Sequence, residues 1–193
     1  MADSDAADSM AMTRLRDGED LALNELMARW QQPLVNYLMR FCGNEASALD
    51  LAQETFVRVY EARGRYDARA KFATWLYTIA GNLARNAHRW HQRHPAVSLE
   101  TPTDDNGGTL GALLPDTSLA PDATAEQSER TAAVRAAIAS LPEDQRTIVL
   151  LSEYEDRSHA DIAGVLGCTA KAVETRLYRA RQTLREKLAH WLR

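Results

Sequence analysis

The chain has 193 residues, 45% apolar and 26% charged, ordinary globular proportions that exclude a wholly disordered or fibrous protein. No apolar run approaches the ~18–20 residues that span a bilayer, and the acidic start MADSDAADSM lacks the basic-then-apolar order of a signal peptide. The expectation is a soluble, cytoplasmic protein without membrane insertion. The net charge of −4 conceals segregation: residues 1–62 carry −6, 63–94 carry +6, 95–130 carry −6, 131–170 carry −3 and 171–193 carry +5. Two basic islands on an acidic chain suggest two separate contacts with a polyanion.

Residues 1–19 read as a flexible acidic arm, with Met10 and Met12 as alternative starts. From Leu23, apolar positions Leu26, Met27, Trp30, Leu34, Leu38 and Phe41 recur every three or four residues, which predicts an amphipathic helix that Pro33 kinks or splits. Gly43 ends it and Asn44 caps a second helix over about 46–62. On that helix Asp50, Glu54 and Glu61 fall within about 40° of one another, opposite the apolar side, with Gln53 and Val57 beside them. Such a stripe is a solvated face or a docking face for a basic partner.

A short loop, Arg63 to Ala70, leads to a third helix over 72–93 that Pro95 ends. Aromatic and basic residues mix here, with Tyr66, Phe72, Trp75 and Trp90 among Arg63, Arg65, Lys71, Arg85, Arg89 and Arg93. Base stacking plus backbone cations is how proteins hold single strands. Trp75 shares a stripe with Ile79 and Leu83 and reads as core, so Phe72 and Tyr66 are the expected stacking residues. His88, His91 and His94 step about 60° apart and the outer two diverge by about 120°, which does not build a metal site. Cys42 and Cys168, far apart and without CxxC spacing, read as packing residues and exclude a disulfide framework.

Residues 95–124 hold four prolines and three glycines with no period, a linker too long for a loop inside one compact domain. Helical patterning resumes at 125. Pro142, Glu143 and Asp144 open one helix, and Ser158 caps a short one carrying Ile162, Ala163 and Val165. The turn Gly167-Cys168-Thr169 leads to a last long helix with Val173, Leu177, Ala180, Leu184 and Leu188 inward. No segment alternates with period 2, so the fold class is all-α: two small helical domains, 20–94 and 125–193, joined by a flexible linker. A short helix, a glycine turn and a longer basic helix are the marks of a helix-turn-helix. The last helix directs Lys171, Thr175, Tyr178 and Arg179 away from its apolar side, with Glu174 and Arg176 flanking, a set suited to phosphate and base edges. Glu174 must either accept from a cytosine amino group or turn toward Lys171 or Tyr178.

Taken together these residues resemble the extracytoplasmic-function sigma factors, the compact two-domain group of the sigma-70 family. Ala48-Leu49-Asp50-Leu51-Ala52-Gln53-Glu54-Thr55-Phe56 resembles the family's region 2.2. The run Phe72 to Ala84 is similar to regions 2.3–2.4, and Leu141 to Arg146 with Ser158 to Arg185 resembles region 4. The resemblance implies a promoter-specificity subunit, not an enzyme and without a cofactor, that joins core RNA polymerase through the β′ clamp helices and the β subunit. Asp50, Gln53, Glu54 and Val57 would then meet the polymerase. Arg63, Arg65, Tyr66, Lys71, Phe72, Asn82, Arg85 and Arg89 would capture the −10 element of promoter DNA. Lys171, Glu174, Thr175, Arg176, Tyr178 and Arg179 would meet the −35 element. It also implies that the acidic linker threads toward the RNA exit path, and that an anti-sigma factor is a further possible partner. Glu174 departs from the family, where many relatives carry Lys or Arg before a Ser-Arg pair. The alternative is a helix-turn-helix regulator that never joins polymerase, which leaves the 63–94 island without a role. An enzyme is disfavoured: there is no Gly-rich phosphate loop, HExxH or Ser/His/Asp ordering.

Overall fold

The computed structural model describes residues 2–94 and 125–192; the expected linker, 95–124, lies outside them. Among the described residues the secondary structure is entirely helical. The helices are α1 (Ala2–Arg16), α2 (Ala22–Cys42), α3 (Glu45–Glu61), α4 (Phe72–Arg93), α5 (Ala125–Ala139), α6 (Glu143–Glu153), α7 (His159–Leu166) and α8 (Ala170–Lys187), with short 3₁₀ turns at Arg63–Arg65 and Ala189–Leu192. No helix among these residues is long and apolar enough to cross a membrane.

The punctuation is local chemistry. Gly43 takes φ +72° and returns its N–H to the Met39 carbonyl, closing α2, while Asn44 Oδ1 accepts from Ser47 N at 2.9 Å and opens α3. Ser158 Oγ accepts from Asp161 N and Thr169 Oγ1 from Ala172 N, each at 3.1 Å, and Gly167 at φ +62° makes the turn between α7 and α8. One expectation is narrowed and one corrected. Pro33 does not divide α2, which runs unbroken through it. Residues 2–16 of the expected flexible arm form α1, because Ala11, Met12 and Leu15 repeat at helical spacing and bury completely. Asp8 anchors this helix: its side chain, 1% exposed, accepts from Arg29 Nε at 2.7 Å and Trp30 Nε1 at 2.9 Å.

The two halves share one core. Leu34, Leu38 and Phe41 of α2 and Leu76 and Tyr77 of α4 belong to the same buried cluster as Ile148, Leu150, Ile162 and Val173. Arg146 of α6 enters this junction buried. Its Nη1 donates to the Phe41 carbonyl at 3.0 Å, and its Nη2 donates to the carbonyls of Ala139 and Leu141. Tyr77 donates to Glu155 Oε2 at 2.7 Å, Arg157 lies over the Trp30 and Tyr77 rings, and Arg40 lies over Tyr154 at 4.4 Å.

Asp8→Ala leaves the Trp30 N–H buried without an acceptor, so it is expected to cost about 1–3 kcal/mol in urea unfolding of the full chain. Asp8→Asn, which keeps an acceptor, should cost less. At the junction, burial lifts the Glu155 carboxyl above the usual carboxylate range, against the pulls of the Tyr77 hydroxyl, Arg40 and Arg157. The folded chain therefore holds that proton more tightly than the unfolded chain. Native stability from this group falls as pH rises from the ordinary carboxylate value through the elevated one. Glu155→Gln still accepts from Tyr77 and lacks the slope. Measured by urea unfolding across that window, the variant is expected to gain on the wild type as pH rises; parallel curves would remove the assignment.

Candidate polymerase and nucleic-acid interfaces

Three surfaces carry the residues singled out from the sequence. On α3 the buried side is Ala48, Ala52, Thr55, Phe56 and Val59, which turns Asp50, Gln53 and Val57 outward and leaves Glu54 half-buried. Val57 is 50% exposed and Leu49 stands open beside it. An apolar centre with acidic neighbours is thus brought together on one helix face. Arg58 tempers the charge, bonding Glu54 at 2.7 Å and approaching Glu61 at 3.9 Å.

The second surface belongs to α4 and the loop before it. Burial along α4 follows pairs spaced by four: Phe72 and Ala73, Leu76 and Tyr77, Ala80 and Gly81, Ala84 and Arg85. This phase overturns three expectations of accessibility. Phe72 is fully buried, edge-on to Trp30 at 6.0 Å between ring centroids. Tyr66 is buried under α1, with its hydroxyl donating to the Ala70 carbonyl at 2.9 Å and its ring 5.2 Å from Trp75. Arg85 is the continuation of the Tyr77–Gly81 row and folds inward. Its guanidinium lies over Gly81, where a Cβ would stand 3.4 Å from Arg85 Nη1, in ordinary van der Waals contact. Its Nη2 donates to Asn82 Oδ1 at 2.7 Å. Trp75, expected in the core, packs against its edge with Ile79: it is half-buried, its ring 5.2 Å from Tyr66 and 6.3 Å from Phe72.

Of the remaining residues, Arg65, Lys71, Asn82 and Arg89 are exposed. Arg63 is half-buried, 4.0 Å over the Tyr60 ring, and donates to the Tyr60 carbonyl. Lys71 Nζ lies 3.1 Å from Asp161 and 3.9 Å from Asp5, while Arg89 lies 3.1 Å from Glu143. At the far end Trp90 is 53% exposed and stacks on His94 at 4.8 Å. His88 sits edge-on to Phe41 instead of converging with His91 and His94.

The third surface is the outer side of α8. Val173, Leu177 and Ala180 are buried against the domain. That places Lys171, Glu174, Thr175, Tyr178 and Arg179 in solvent, with Tyr178 65% exposed. Glu174 takes one of the two courses open to it: it pairs with Lys171 at 2.9 Å, and that ion pair holds its carboxyl below the usual range. Thr175 Oγ1 donates to the Lys171 carbonyl, Gln182 donates to the Tyr178 hydroxyl, and half-buried Arg176 bonds Asp144 at 3.2 Å. Among the described residues Arg179 makes no ion pair.

Sequence reasoning missed the carboxylates that seat the second surface, Glu143 and Asp161, and the junction residue Arg146. They lie 54, 90 and 105 positions from their partners Arg89, Lys71 and Phe41. One signal was present: Gly164 sits inside a short helix without ending it, and a Cβ there would come within 2.9 Å of Thr74 Cγ2 on α4.

Residues 26–94 match Sigma-70 region 2, and residues 131–184 match Sigma-70, region 4. The RNA polymerase sigma-H factor of Pseudomonas aeruginosa is 33% identical, with 96% of each chain covered. The ECF RNA polymerase sigma-E factor of Haemophilus influenzae is 30% identical, over 94% of this chain and 95% of that one. Among solved structures, CnrH in complex with the cytosolic domain of CnrY superposes with a TM-score of 0.70 at 24% identity, covering 95% of this chain and 98% of that one. The sigma factor RpoE in complex with the anti-sigma factor NepR, from Bartonella quintana, gives 0.63 at 19%, covering 88% and 98%. With both family regions in order and relatives aligned end to end, the chain belongs to the sigma-70 family of RNA polymerase sigma factors, in its extracytoplasmic-function group.

Proposed function

We propose that this sigma factor works as a dissociable addressing subunit with its labour divided among the three surfaces. The observation that carries this reading is that one chain presents an exposed acidic–apolar face on α3 and basic faces on α4 and α8. Asp50, Gln53, Glu54 and Val57 dock on the β′ clamp helices of core polymerase, where an acidic face suits a basic partner and could not lie on DNA. Lys171, Thr175, Tyr178 and Arg179 meet the −35 duplex, with Glu174 and Arg176 on the flanks. Arg65, Lys71, Asn82 and Arg89, with Arg63 at the loop edge, hold the unpaired −10 strand.

Opening duplex costs roughly 1.4 kcal/mol per base step, and stacking one or two bases at about 1–3 kcal/mol each offsets enough of it to nucleate a bubble. Trp75 is the aromatic placed to begin this. Tyr66, Phe72 and Arg85 act beneath the surface, shaping it. Catalysis belongs to the core enzyme, the chain itself performs none, and its action is cytoplasmic, where core polymerase and promoters meet. The likeness to a sigma factor held by an anti-sigma factor supports the same class of partner here.

Run-off transcription with bacterial core polymerase on templates randomised at −35 and −10 tests the reading. Discrete start sites are expected only when the chain is added, and failure to co-elute with core would reject it. Glu174→Gln releases Lys171 to phosphate, so duplex affinity is expected to rise and its salt dependence to steepen by about 0.9 in log–log slope. An unchanged slope in anisotropy titrations would show that Lys171 does not contact the backbone.

A further inference from the structure

The loop between α3 and α4 carries at its tip an arginine, Arg69, whose side chain is 91% exposed. Tyr66 anchors this loop from beneath. Its buried ring lies 5.2 Å from Trp75, and its hydroxyl donates to the Ala70 carbonyl at 2.9 Å. One side chain thus ties together the two ends of the tip, residues 67–69. Asp67 fixes the tip from within: its carbonyl accepts from Ala70 N at 2.9 Å and its Oδ1 accepts from Arg69 N at 3.0 Å. The same carboxylate grips the Arg69 side chain. Its Oδ1 accepts from Nε at 3.0 Å and its Oδ2 accepts from Nη2 at 2.8 Å. That grip takes up the Nε–Nη2 edge of the guanidinium and leaves Nη1 and the outer Nη2 hydrogen as a parallel pair of donors.

Charge decides what such a tip meets. Hydrogen bonds from the Arg69 guanidinium and N–H hold the Asp67 carboxyl down at about 2, so both partners stay ionised and the pair is neutral as a whole. A neutral pair with a carboxylate at its side is a poor anchor for phosphate, which is bound through net positive charge. Two parallel donors in fixed geometry instead match two adjacent acceptors. Guanine offers these at O6 and N7, and an unpaired cytosine offers them at N3 and O2; adenine and thymine have no such adjacent pair. We propose that Arg69, held in register by Asp67, reads one base of the −10 strand through two adjacent acceptors, selecting guanine or cytosine and rejecting adenine and thymine. This rests on the assignment of the loop to that strand. Asp67 is the positioning residue: a guanidinium fixed beforehand loses less rotamer freedom on binding than a free one.

Run-off transcription by core polymerase with the full chain, on templates randomised through the −10 element, gives a base profile for each variant. Wild type is expected to favour G or C over A and T at one position by about 5- to 150-fold, the range of one bidentate contact. Arg69→Ala is expected to flatten that position alone and to leave templates with A or T there at wild-type output. Arg69→Lys keeps the charge without the fork and should flatten it equally. Asp67→Asn still accepts from the Arg69 N–H but sets the cation free. It should loosen the preference while the holoenzyme binds every labelled −10 strand more tightly in anisotropy titrations, with a log–log salt slope steeper by about 0.7. The favoured base separates the two acceptor pairs: if it is guanine, 7-deazaguanine, which lacks N7, should lose most of the preference.

A wild-type profile with no G or C position in the −10 element would overturn the base contact, as would an Arg69→Lys profile identical to wild type. Equal loss on all templates in Arg69→Ala would overturn it too, since that marks a phosphate anchor. Each of these results leaves the sigma-factor reading standing, because start sites still depend on the chain. Wild type that yields no start sites would reject that reading, and the base contact with it.

Discussion

Burying a guanidinium without a carboxylate is costly, and Arg146 is accommodated because main-chain carbonyls converge on it. Phe41 lies in the last turn of α2 and Ala139 ends α5. The carbonyls of a helix's last turn lack partners within the helix and sit at the negative end of its dipole. One cation therefore satisfies orphan acceptors from two helices at once, one on each side of the domain boundary. The rest of the junction is arranged around this plug. Tyr77 with Glu155, Arg157 over Trp30, and Gly164 against Thr74 lie in the same junction.

That arrangement gives α4 three roles. Its inner rows, from Phe72 and Ala73 to Ala84 and Arg85, build the N-terminal core, while its ends carry the exposed cations Lys71 and Arg89. The same helix is thus scaffold, seat for the second domain and candidate DNA surface. The α3 and α8 surfaces have no such overlap. Their buried sides are complete within their own domains, so Val57 and Tyr178 remain in solvent while the domains are packed together.

Local signals made most of the helical plan legible. Gly43-Asn44, Ser158 and Gly167-Cys168-Thr169 act on neighbours within four residues, so their capping and turn geometry could be read directly from residue type. The polar face of α8 was legible for the same reason, because Val173, Leu177 and Ala180 fix the phase of a single helix. Phase also explains the errors. Trp75-Ile79-Leu83 and Phe72-Leu76-Ala80 are adjacent apolar rows on α4, and nothing within the helix says which one faces inward. Packing of Phe72 on Trp30 and Tyr66 decides it. Met12 and Leu15 misled in the same way, since a short apolar row near an acidic terminus reads as core only once α2 and Asp8 are in place.

The sequence by itself determined the all-helical class, the two helical segments with a Pro/Gly stretch between them, the helix-turn-helix and the segregation of charge. Each follows from periodicity, capping or composition over short spans of chain. Tertiary structure alone decided that Arg85 turns inward and that Asp161 and Glu143 reach Lys71 and Arg89. These depend on packing and contacts between distant residues, whose geometry no local pattern encodes.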